Sequence, residues 1–398
     1  MEDTQTKPPF IIKGRQIDLP FSVTIKSKES LFQVTAEKAL RIAPNKRIVC
    51  SGTWGEKQVV IKFFLKCPKA RRYFQSELNG IKALVSSGVT TPKIIFHGKV
   101  ENSEIRAIGI EEISDSSDMM SVWESIEQES DYAGFQKKII HEIAALHSAG
   151  LKQDDLHLGN FLFSKNKIFT IDGDSVDTSK MGQPLPEKES FENLVLFFSQ
   201  FYQKFDILTE KSLEYYMQCR GLPSYPQLFS QIYPRIQQKR IKRQKKYLRK
   251  IFRECSEFVF KKERGIRFSC DRKAFGAGVS LFIENPDFFI QKGEIIKAGK
   301  TYTIVKININ RTLYMVKFYN NKTVFQSSAR ISWRNAHGAK QKGIKLFRPI
   351  LFMEQYLSIF CLKAFFIVEY TKEYKNNSYC ELFLKLENKN LNLEQKGL

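Results

Sequence analysis

The spacing of apolar residues predicts both strands and helices in the first half of the chain. Residues 46–65 carry apolar side chains at alternate positions around a glycine-containing turn, which predicts two strands. From residue 69 to 86 the apolar positions repeat every three or four residues, which predicts a helix that stops at Gly88. The same spacing predicts a longer helix over 133–149, and the turn residues after it predict a short hairpin over 161–171. These segments favour an α+β class.

A second strand-rich region begins near residue 295 and repeats the order of elements in the first. The corresponding residues are Lys62 with Lys317, Gly88 with Gly343, and Glu111 with Glu369. We interpret this region as a weak internal duplication. Ser332 stands where the first copy has Glu77. The chain after Glu369 is too short to repeat the segments that come after Glu111, so we expect the second copy to be incomplete.

The composition indicates a globular chain with a strongly basic surface. The chain has 398 residues, 42% of them hydrophobic and 27% charged, which predicts two or three folded domains. Lys and Arg number 64 against 42 acidic residues, a formal net charge of +22. This excess suits nucleic acid, an anionic membrane or a phosphorylated ligand, and it is also compatible with a merely solvated basic surface. No RNA-binding signature is present, so we do not expect nucleic acid as a partner.

The basic residues are concentrated in residues 235–253, which hold ten of them and no acidic one. Apolar residues recur there at helical spacing, which predicts an amphipathic helix. One interpretation is a basic face that makes peripheral contact with an anionic membrane or a phosphorylated acceptor. The other is a solvated helix whose apolar stripe packs on its own domain.

The seven cysteines and the start of the chain favour a cytoplasmic protein. No CxxC pair or neighbouring histidine cluster occurs, which argues against a zinc site and against a disulfide framework. The first residues lack the apolar core of a signal peptide. The longest apolar stretch, 351–370, is interrupted by Glu354 and Lys363, so we expect peripheral contact with a membrane at most.

One segment carries residue types suited to phosphoryl transfer. Asp155 is followed five residues later by Asn160, and the predicted hairpin then returns Asp172 and Asp174. Each acid alone is typical of a turn, but together they offer a base for a hydroxyl and hard oxygen ligands for Mg²⁺. We therefore predict Asp155 as the catalytic base and Asn160, Asp172 and Asp174 as metal ligands.

A lysine on the first predicted sheet belongs to the same hypothesis. Lys62 shares a strand face with Val60 and Phe64, so its ammonium needs an anion if that face is covered. Glu77 lies four residues before Ile81 and is therefore on the buried side of the predicted helix. An exposed edge lysine and a helix-surface glutamate are the ordinary alternatives.

Taken together, these motifs resemble the protein-kinase-like phosphotransferases, the group that includes aminoglycoside phosphotransferases and lipopolysaccharide core kinases. The resemblance implies a bilobal fold, ATP and Mg²⁺ as cofactors, and Lys62 on the α- and β-phosphates with Glu77 as its partner. It also implies a glycine loop over the nucleotide and a hinge to the adenine. The residues at these positions are Gly52 and Gly55 for the loop, and Glu111, Glu112 and Ile113 for the hinge.

Within this group the chain is most similar to the Kdo and heptose kinases of lipopolysaccharide core assembly. That likeness implies γ-phosphate transfer to a sugar hydroxyl of a lipid-linked acceptor at the cytoplasmic face of the inner membrane. We expect an amino lobe over 1–113 and a carboxyl lobe with the catalytic loop over 114–265, and the repeat predicts a second, incomplete amino lobe over 266–372. The last residues are rich in Asn, Lys and Glu, which predicts a loosely held tail over 373–398.

Two residues depart from the usual motifs of the group. Gln153 stands where histidine is frequent, and Gly173 replaces the aromatic residue after the metal-binding aspartate. Neither change removes a catalytic group. A nucleotide-binding pseudokinase that acts as a scaffold at an anionic membrane, or a kinase for protein or small-molecule hydroxyls, is therefore the alternative function.

Overall fold

The structure is a computed structural model that describes residues 12–13, 15–223, 225–319, 322–324, 326–344, 346–370 and 383–388. Helices and strands occur in similar proportion, so the predicted α+β class is confirmed. The chain divides into two compact units, Met1–Lys239 and Arg240–Leu398. We call them the first unit and the second unit.

The first unit begins with strands and continues with helices. Its strands are β1 (Ile12–Lys13), β2 (Gln16–Ile17), β3 (Phe21–Lys26), β4 (Leu31–Ala43), β5 (Arg47–Trp54), β6 (Lys57–Phe64), β7 (Ile94–Val100), β8 (Arg106–Glu111), β9 (Ser117–Asp118), β10 (Lys152–Gln153), β11 (Phe161–Ser164), β12 (Lys167–Thr170) and β13 (Val176–Asp177). Its helices are α1 (Ala70–Ser86), α2 (Met119–Glu124), α3 (Glu129–Ser148), α4 (Glu187–Phe198) and α5 (Asp206–Arg220). Helix α6 (Leu228–Lys250) contains the boundary between the units.

Besides the end of α6, the second unit contains a large sheet and further helices within its described residues. The strands are β14 (Phe258–Glu263), β15 (Ile266–Asp271), β16 (Glu294–Ala298), β17 (Thr303–Ile309), β18 (Thr312–Tyr319), β19 (Pro349–Leu357) and β20 (Phe360–Glu369). The helices are α7 (Ala277–Glu284), α8 (Pro286–Lys292) and α9 (Ser328–Gln341).

A closed barrel with the strand order β3-β4-β5-β6-β8-β7 forms the first part of the first unit. Its interior holds the alternating side chains that the sequence predicts on β6, among them Val59, Ile61 and Phe63. Helix α1 follows β6, and its apolar stripe packs on the outside of β6 and β8. The sequence did not predict β3 and β4, because charged and polar residues interrupt the apolar alternation of β4.

The helices of the first unit enclose a separate core. Apolar residues of α3, α4 and α5 meet there, including Ile140, Phe198 and Tyr216. The hairpin of β11 and β12 lies beside this core, as the sequence predicts for residues 161–171. The predicted helix over 133–149 is present as α3 and begins four residues earlier.

The second unit repeats the order of the barrel strands. Its sheet has the order β14-β15-β19-β20-β18-β17-β16, so β16, β17, β18, β20 and β19 correspond to β4, β5, β6, β8 and β7. A helix follows the third of these strands in both units. The registers also agree, since Lys62 pairs with Ile108 and Val59 with Glu111, while Lys317 pairs with Phe366 and Tyr314 with Glu369. The two units therefore share strand order and register, as the predicted duplication would produce.

The two copies differ in how they are closed. In the first unit β4 pairs with β3, which completes the barrel. In the second unit α7 and α8 come between β15 and β16, and these two strands do not pair. Side chains of the inserted helices, Val279 and Phe282, fill the core at this place.

Two of the predicted boundaries need correction. The division at residue 265 falls in the turn between β14 and β15, which are paired strands of one sheet, so the second unit begins before it. The tail over 373–398 is described only at 383–388. There Phe383 and Leu386 are buried in the core of the second unit, so this segment is not loosely held.

Candidate functional site

A buried ion pair joins the barrel to helix α1. Lys62 on β6 is 8% exposed and Glu77 on α1 is fully buried, and the ammonium of Lys62 contacts the Oε1 atom of Glu77. The helix carries Phe74, Leu78 and Ile81 on the same buried face, which aims Glu77 at the sheet. Lys62 is thus not an exposed edge lysine and Glu77 is not a surface residue.

Two further carboxylates reach this pair from the turn after β12. Asp172 has its Oδ1 atom 3.7 Å from the Nζ atom of Lys62. The backbone N–H of Asp174 donates a hydrogen bond to Glu77 Oε2 at 3.2 Å. The hairpin therefore returns Asp172 to the lysine and Asp174 to its partner Glu77.

Two glycines allow the turn to lie directly against helix α1. A Cβ atom on Gly80 would stand 1.9 Å from the carbonyl oxygen of Gly173, and one on Gly173 would stand 2.6 Å from the carbonyl oxygen of Glu77. These distances are too short for any side chain. Gly173 is consequently a packing requirement, because it brings Asp172 and Asp174 close to Glu77.

Arg47 is a member of the cluster that the sequence pattern did not predict. Its guanidinium lies 3.0 Å from Asp174 Oδ2, 3.4 Å from Glu77 Oε2 and 3.7 Å from Asp172 Oδ1. The sequence could have revealed Arg47 through strand pairing. The β5–β6 turn sets a register in which Val49 pairs with Lys62. Arg47 is two residues from Val49 and therefore shares the face of Lys62.

Three carboxylates and two cations make up the cluster, so its formal charge is one negative unit. Burial raises the pKa of the Asp174 carboxyl, and the charge of Asp172 raises it further, while Arg47 opposes this change. Oxygen atoms of Glu77, Asp172 and Asp174 lie within 4.8 Å of one another. Arg47 contacts all three carboxylates, but Glu77 is fully buried, whereas the side chains of Asp172 and Asp174 are 25% and 16% exposed. The donor set that fits a hard cation is therefore that of the two aspartates.

The loop before the hairpin holds the predicted base and amide. The side chain of Asp155 is 77% exposed, with its Oδ2 atom 3.7 Å from Nε2 of His157. Asn160 is buried, and its Nδ2 atom donates a 2.8 Å hydrogen bond to the backbone oxygen of Asp155. Because the amide nitrogen is used in this way, the oxygen of Asn160 is the atom left for a ligand.

Gln153 ties this loop to the strand that leads to Asp172. It is buried, and its Nε2 atom donates to the backbone oxygen of Ile171 at 2.8 Å. The backbone oxygen of Gln153 accepts a 2.8 Å hydrogen bond from Nδ2 of Asn193. The departure from histidine at this position therefore preserves a connection between the loop and the metal-ligand candidate.

His147 completes the support of the loop from helix α3. Its Nε2 atom is 3.0 Å from Oδ1 of Asn193, and its Nδ1 atom is 2.8 Å from the hydroxyl of Tyr216. Since Asn193 donates through Nδ2, its Oδ1 accepts, so we assign the proton of His147 to Nε2. Burial lowers the pKa of His147 to about 3, which keeps the ring neutral.

The two glycines predicted for the nucleotide loop lie away from Lys62 along the strands. Gly52 lies within β5 opposite Val59, and Gly55 lies in the β5–β6 turn, about 17 Å along the strand from Lys62 at roughly 3.3 Å per residue. The register instead directs the β4–β5 turn, residues 44–46, toward the Lys62 end of the barrel. Gly52 is needed for another reason, because a Cβ there would stand 1.9 Å from the carbonyl oxygen of Thr35.

The predicted hinge follows strand β8. Glu111 is exposed at the end of β8, where its N–H donates to the backbone oxygen of Lys93 at 2.9 Å. Glu112 and Ile113 come next and are half-buried. These residues connect the barrel to the helices of the first unit.

The predicted basic helix is present as the second half of α6, but its apolar stripe is partly used for packing. Leu248, Ile251 and Phe252 join the core of the second unit. The exposed basic residues are Lys239, Lys242, Lys245, Lys246, Arg249 and Arg253. Among the described residues no helix has the length and hydropathy needed to cross a membrane.

In the second unit the lysine that corresponds to Lys62 has different partners. Lys317 is fully buried, and its Nζ atom contacts Glu387 and donates to the backbone oxygen of Leu384 at 2.9 Å. The ring of Tyr302 lies 3.9 Å from the same atom. Ser332, at the position of Glu77, bonds to the hydroxyl of Tyr319 instead. Burial lowers the pKa of Lys317 to about 8.

No family model matches the chain, and no curated protein matches it significantly.

Proposed function

We propose that the chain is an ATP-dependent phosphotransferase whose first unit has a protein-kinase-like bilobal fold and whose second unit is an incomplete amino lobe. The observation that carries the proposal is the buried pair of Lys62 and Glu77 with Asp172 3.7 Å from the lysine. A lysine, a helix glutamate and a carboxylate at the end of a hairpin are the parts that kinase chemistry uses to hold phosphates.

Each residue has a role in this proposal. Lys62 binds the α- and β-phosphates and Glu77 fixes its direction. Asp155, exposed on its loop, accepts the proton of the acceptor hydroxyl. Asn160, Asp172 and Asp174 would hold Mg²⁺, which neutralises phosphate charge when bound. Positioning and electrostatic stabilisation supply the rate.

The proposed acceptor is a sugar hydroxyl of a lipid-linked core, at the cytoplasmic face of the inner membrane. The net charge of +22 and the exposed lysines of α6 support an anionic surface as the place of action. Hydroxyls of proteins or small molecules are the alternative acceptors. The hinge residues Glu111, Glu112 and Ile113 would contact the adenine.

Transfer of labelled γ-phosphate from ATP tests the proposal. The purified full chain is incubated with Mg²⁺ and a panel of lipid-linked core sugars, proteins and aminoglycosides. We expect one class to be labelled, and we expect Asp155→Asn to reduce the rate by about 10²-fold or more while ATP still binds. Asp154→Asn, at the neighbouring exposed acid, is the matched control and should retain activity. Full activity of Asp155→Asn would reject the assignment of the base.

A second candidate is a pseudokinase that binds nucleotide without transfer. It is favoured by Arg47, whose guanidinium contacts the same carboxylates that would hold the metal. Nucleotide titration with and without Mg²⁺ separates the two functions. Tight binding that Mg²⁺ does not change, with no labelled acceptor, would favour the pseudokinase.

A further inference from the structure

One end of the sheet in the second unit carries apolar side chains that the described part of the chain leaves exposed. They are Leu357 (67% exposed), Ile359 (61%), Phe360 (46%) and Val324 (47%). We call these four residues the tip patch. Exposed apolar residues are common singly, but four of them at one end of a sheet mark an interaction site.

The strand registers place the tip patch on neighbouring turns. Leu357 pairs with Phe360 across the β19–β20 turn, and Ile359 lies within that turn. The short segment 322–324 joins this end of the sheet because Thr323 pairs with Cys361, two residues after Ile359. The patch is therefore built on hydrogen-bonded backbone.

Basic residues surround the tip patch. The β14–β15 turn adjoins the β19–β20 turn, since the N–H of Tyr356 donates to the backbone oxygen of Gly265 at 2.6 Å. Lys261 and Lys262 at the end of β14 and Arg264 in the turn are exposed. The other charged groups at this end are exposed Lys322 and Glu263, the pair of Arg267 with Glu354, and the pair of Lys363 with Asp287. The exposed charges are thus mainly positive.

We propose that the tip patch inserts into an anionic lipid bilayer while the surrounding basic residues contact its headgroups. Apolar side chains at a turn suit the acyl chains of a bilayer, and the lysine and arginine residues beside them suit its anionic headgroups. A protein partner is disfavoured because a specific interface uses roughly 20–30 residues a side, whereas a bilayer needs no complementary shape. This inference does not depend on phosphotransfer.

Vesicle binding tests the proposal with the full chain. Sedimentation with phosphatidylglycerol–phosphatidylcholine vesicles should carry the protein down, and Leu357→Gln with Ile359→Gln should weaken binding by about tenfold or more. The matched control is Leu40→Gln with Ile207→Gln, two exposed apolar residues of the first unit, which should change nothing.

Charge reversal tests the headgroup contact separately. Lys262→Glu with Arg264→Glu should weaken binding to the anionic vesicles and reduce its dependence on salt. Lys28→Glu with Lys38→Glu makes the same change in net charge on the exposed surface of the first unit and should have a smaller effect.

Vesicle binding alone does not show that the tip patch inserts, because the basic residues of α6 could hold the protein on anionic vesicles. A tryptophan placed in the patch therefore reports insertion. The fluorescence of Ile359→Trp should be quenched by lipids brominated in their acyl chains, and that of Ile207→Trp should not. Absence of vesicle binding, or binding without this quenching, would overturn the proposal. So would self-association that is lost in the Leu357→Gln, Ile359→Gln variant, since it would assign the tip patch to a protein contact.

Discussion

Lys62 illustrates how burial decides the effect of a single substitution. Lys62→Met leaves fully buried Glu77 with the more distant Arg47 and the N–H of Asp174, and breaking a buried pair by removing one partner costs about 3 kcal/mol or more. We expect this loss in the unfolding of the first unit, measured by chemical denaturation. Lys99→Met, which breaks an exposed pair with Glu104, is the control and should change stability little. Equal effects of the two variants would contradict the burial argument.

His147 makes the stability of the first unit depend on pH. The pKa of its ring is about 3 in the folded protein and 6.5 in the unfolded chain. Between these values the unfolded chain binds a proton that the folded protein does not, so stability falls as the pH drops from 6.5 toward 3. One such residue contributes at most about 1.4 kcal/mol per pH unit.

Chemical unfolding at pH 7, 6 and 5, followed by circular dichroism, measures this slope. We expect His147→Gln to reduce the slope, whatever it does to stability at pH 7. An unchanged slope would show that other groups cause the acid sensitivity.

At the scale of elements, two helical glycines should respond in opposite ways. Gly80→Ala in α1 improves helix propensity, but its Cβ would meet the carbonyl oxygen of Gly173 at 1.9 Å. We expect a loss of about 1–3 kcal/mol, because the turn that holds Asp172 must shift. Gly134→Ala in α3 has open space and should stabilise by about 0.5–1 kcal/mol. Thermal unfolding compares them, and a stabilising Gly80→Ala would refute the close approach.

The elements that the sequence predicts best are those whose buried side chains follow one period. Helix α1 begins one residue after the predicted start and ends at the predicted residue, because Phe74, Leu78 and Ile81 all face the barrel. The sequence did not predict strand β4, because charged residues interrupt the alternation of its apolar side chains. Its register also contains shifts after Ala36 and Ala39, which local spacing does not reveal.

The sequence predicted the acidic residues of the candidate site but not Arg47, which joins them only through strand pairing. Asp155, Asn160 and Asp172 belong to a short motif, so spacing alone found them. Arg47 required the register of β5 on β6, which follows from the turn at Gly55. The glycines at that turn were also predicted to cover the nucleotide, because glycine occurs both in tight turns and in phosphate-binding loops and the local sequence does not distinguish them.

At the scale of the whole molecule, the segment 383–388 is part of the second unit's fold. Phe383 is buried against the rings of Phe347 and Phe366. Phe383→Ala should therefore destabilise the second unit by about 3–5 kcal/mol, as for other buried phenylalanines. Phe288→Ala, at an exposed site of the same unit, is the control. Hydrogen exchange of β18 and β20 measures the difference, and equal protection in both variants would contradict it.

The two units differ in the residues that surround their corresponding lysines, Lys62 and Lys317. Strand order and register agree, whereas Glu77 corresponds to Ser332 and Arg47 to Tyr302. Lys317 stays buried because Glu387 and the backbone of the carboxyl-terminal segment contact it. The sequence predicted the shared strands from their pattern, but that segment has no counterpart in the first copy and could not be inferred from it.

Asp172 adopts a left-handed backbone, with φ at 70° and ψ at 65°, which costs a residue with a side chain about 1 kcal/mol. Glycine would remove that cost together with the carboxylate. It would also remove the contacts of that carboxylate with Lys62 and Arg47, while the proposed metal role is one that glycine cannot supply. A library of variants sorted by heat resistance and another sorted by the proposed phosphotransfer should diverge at this single codon.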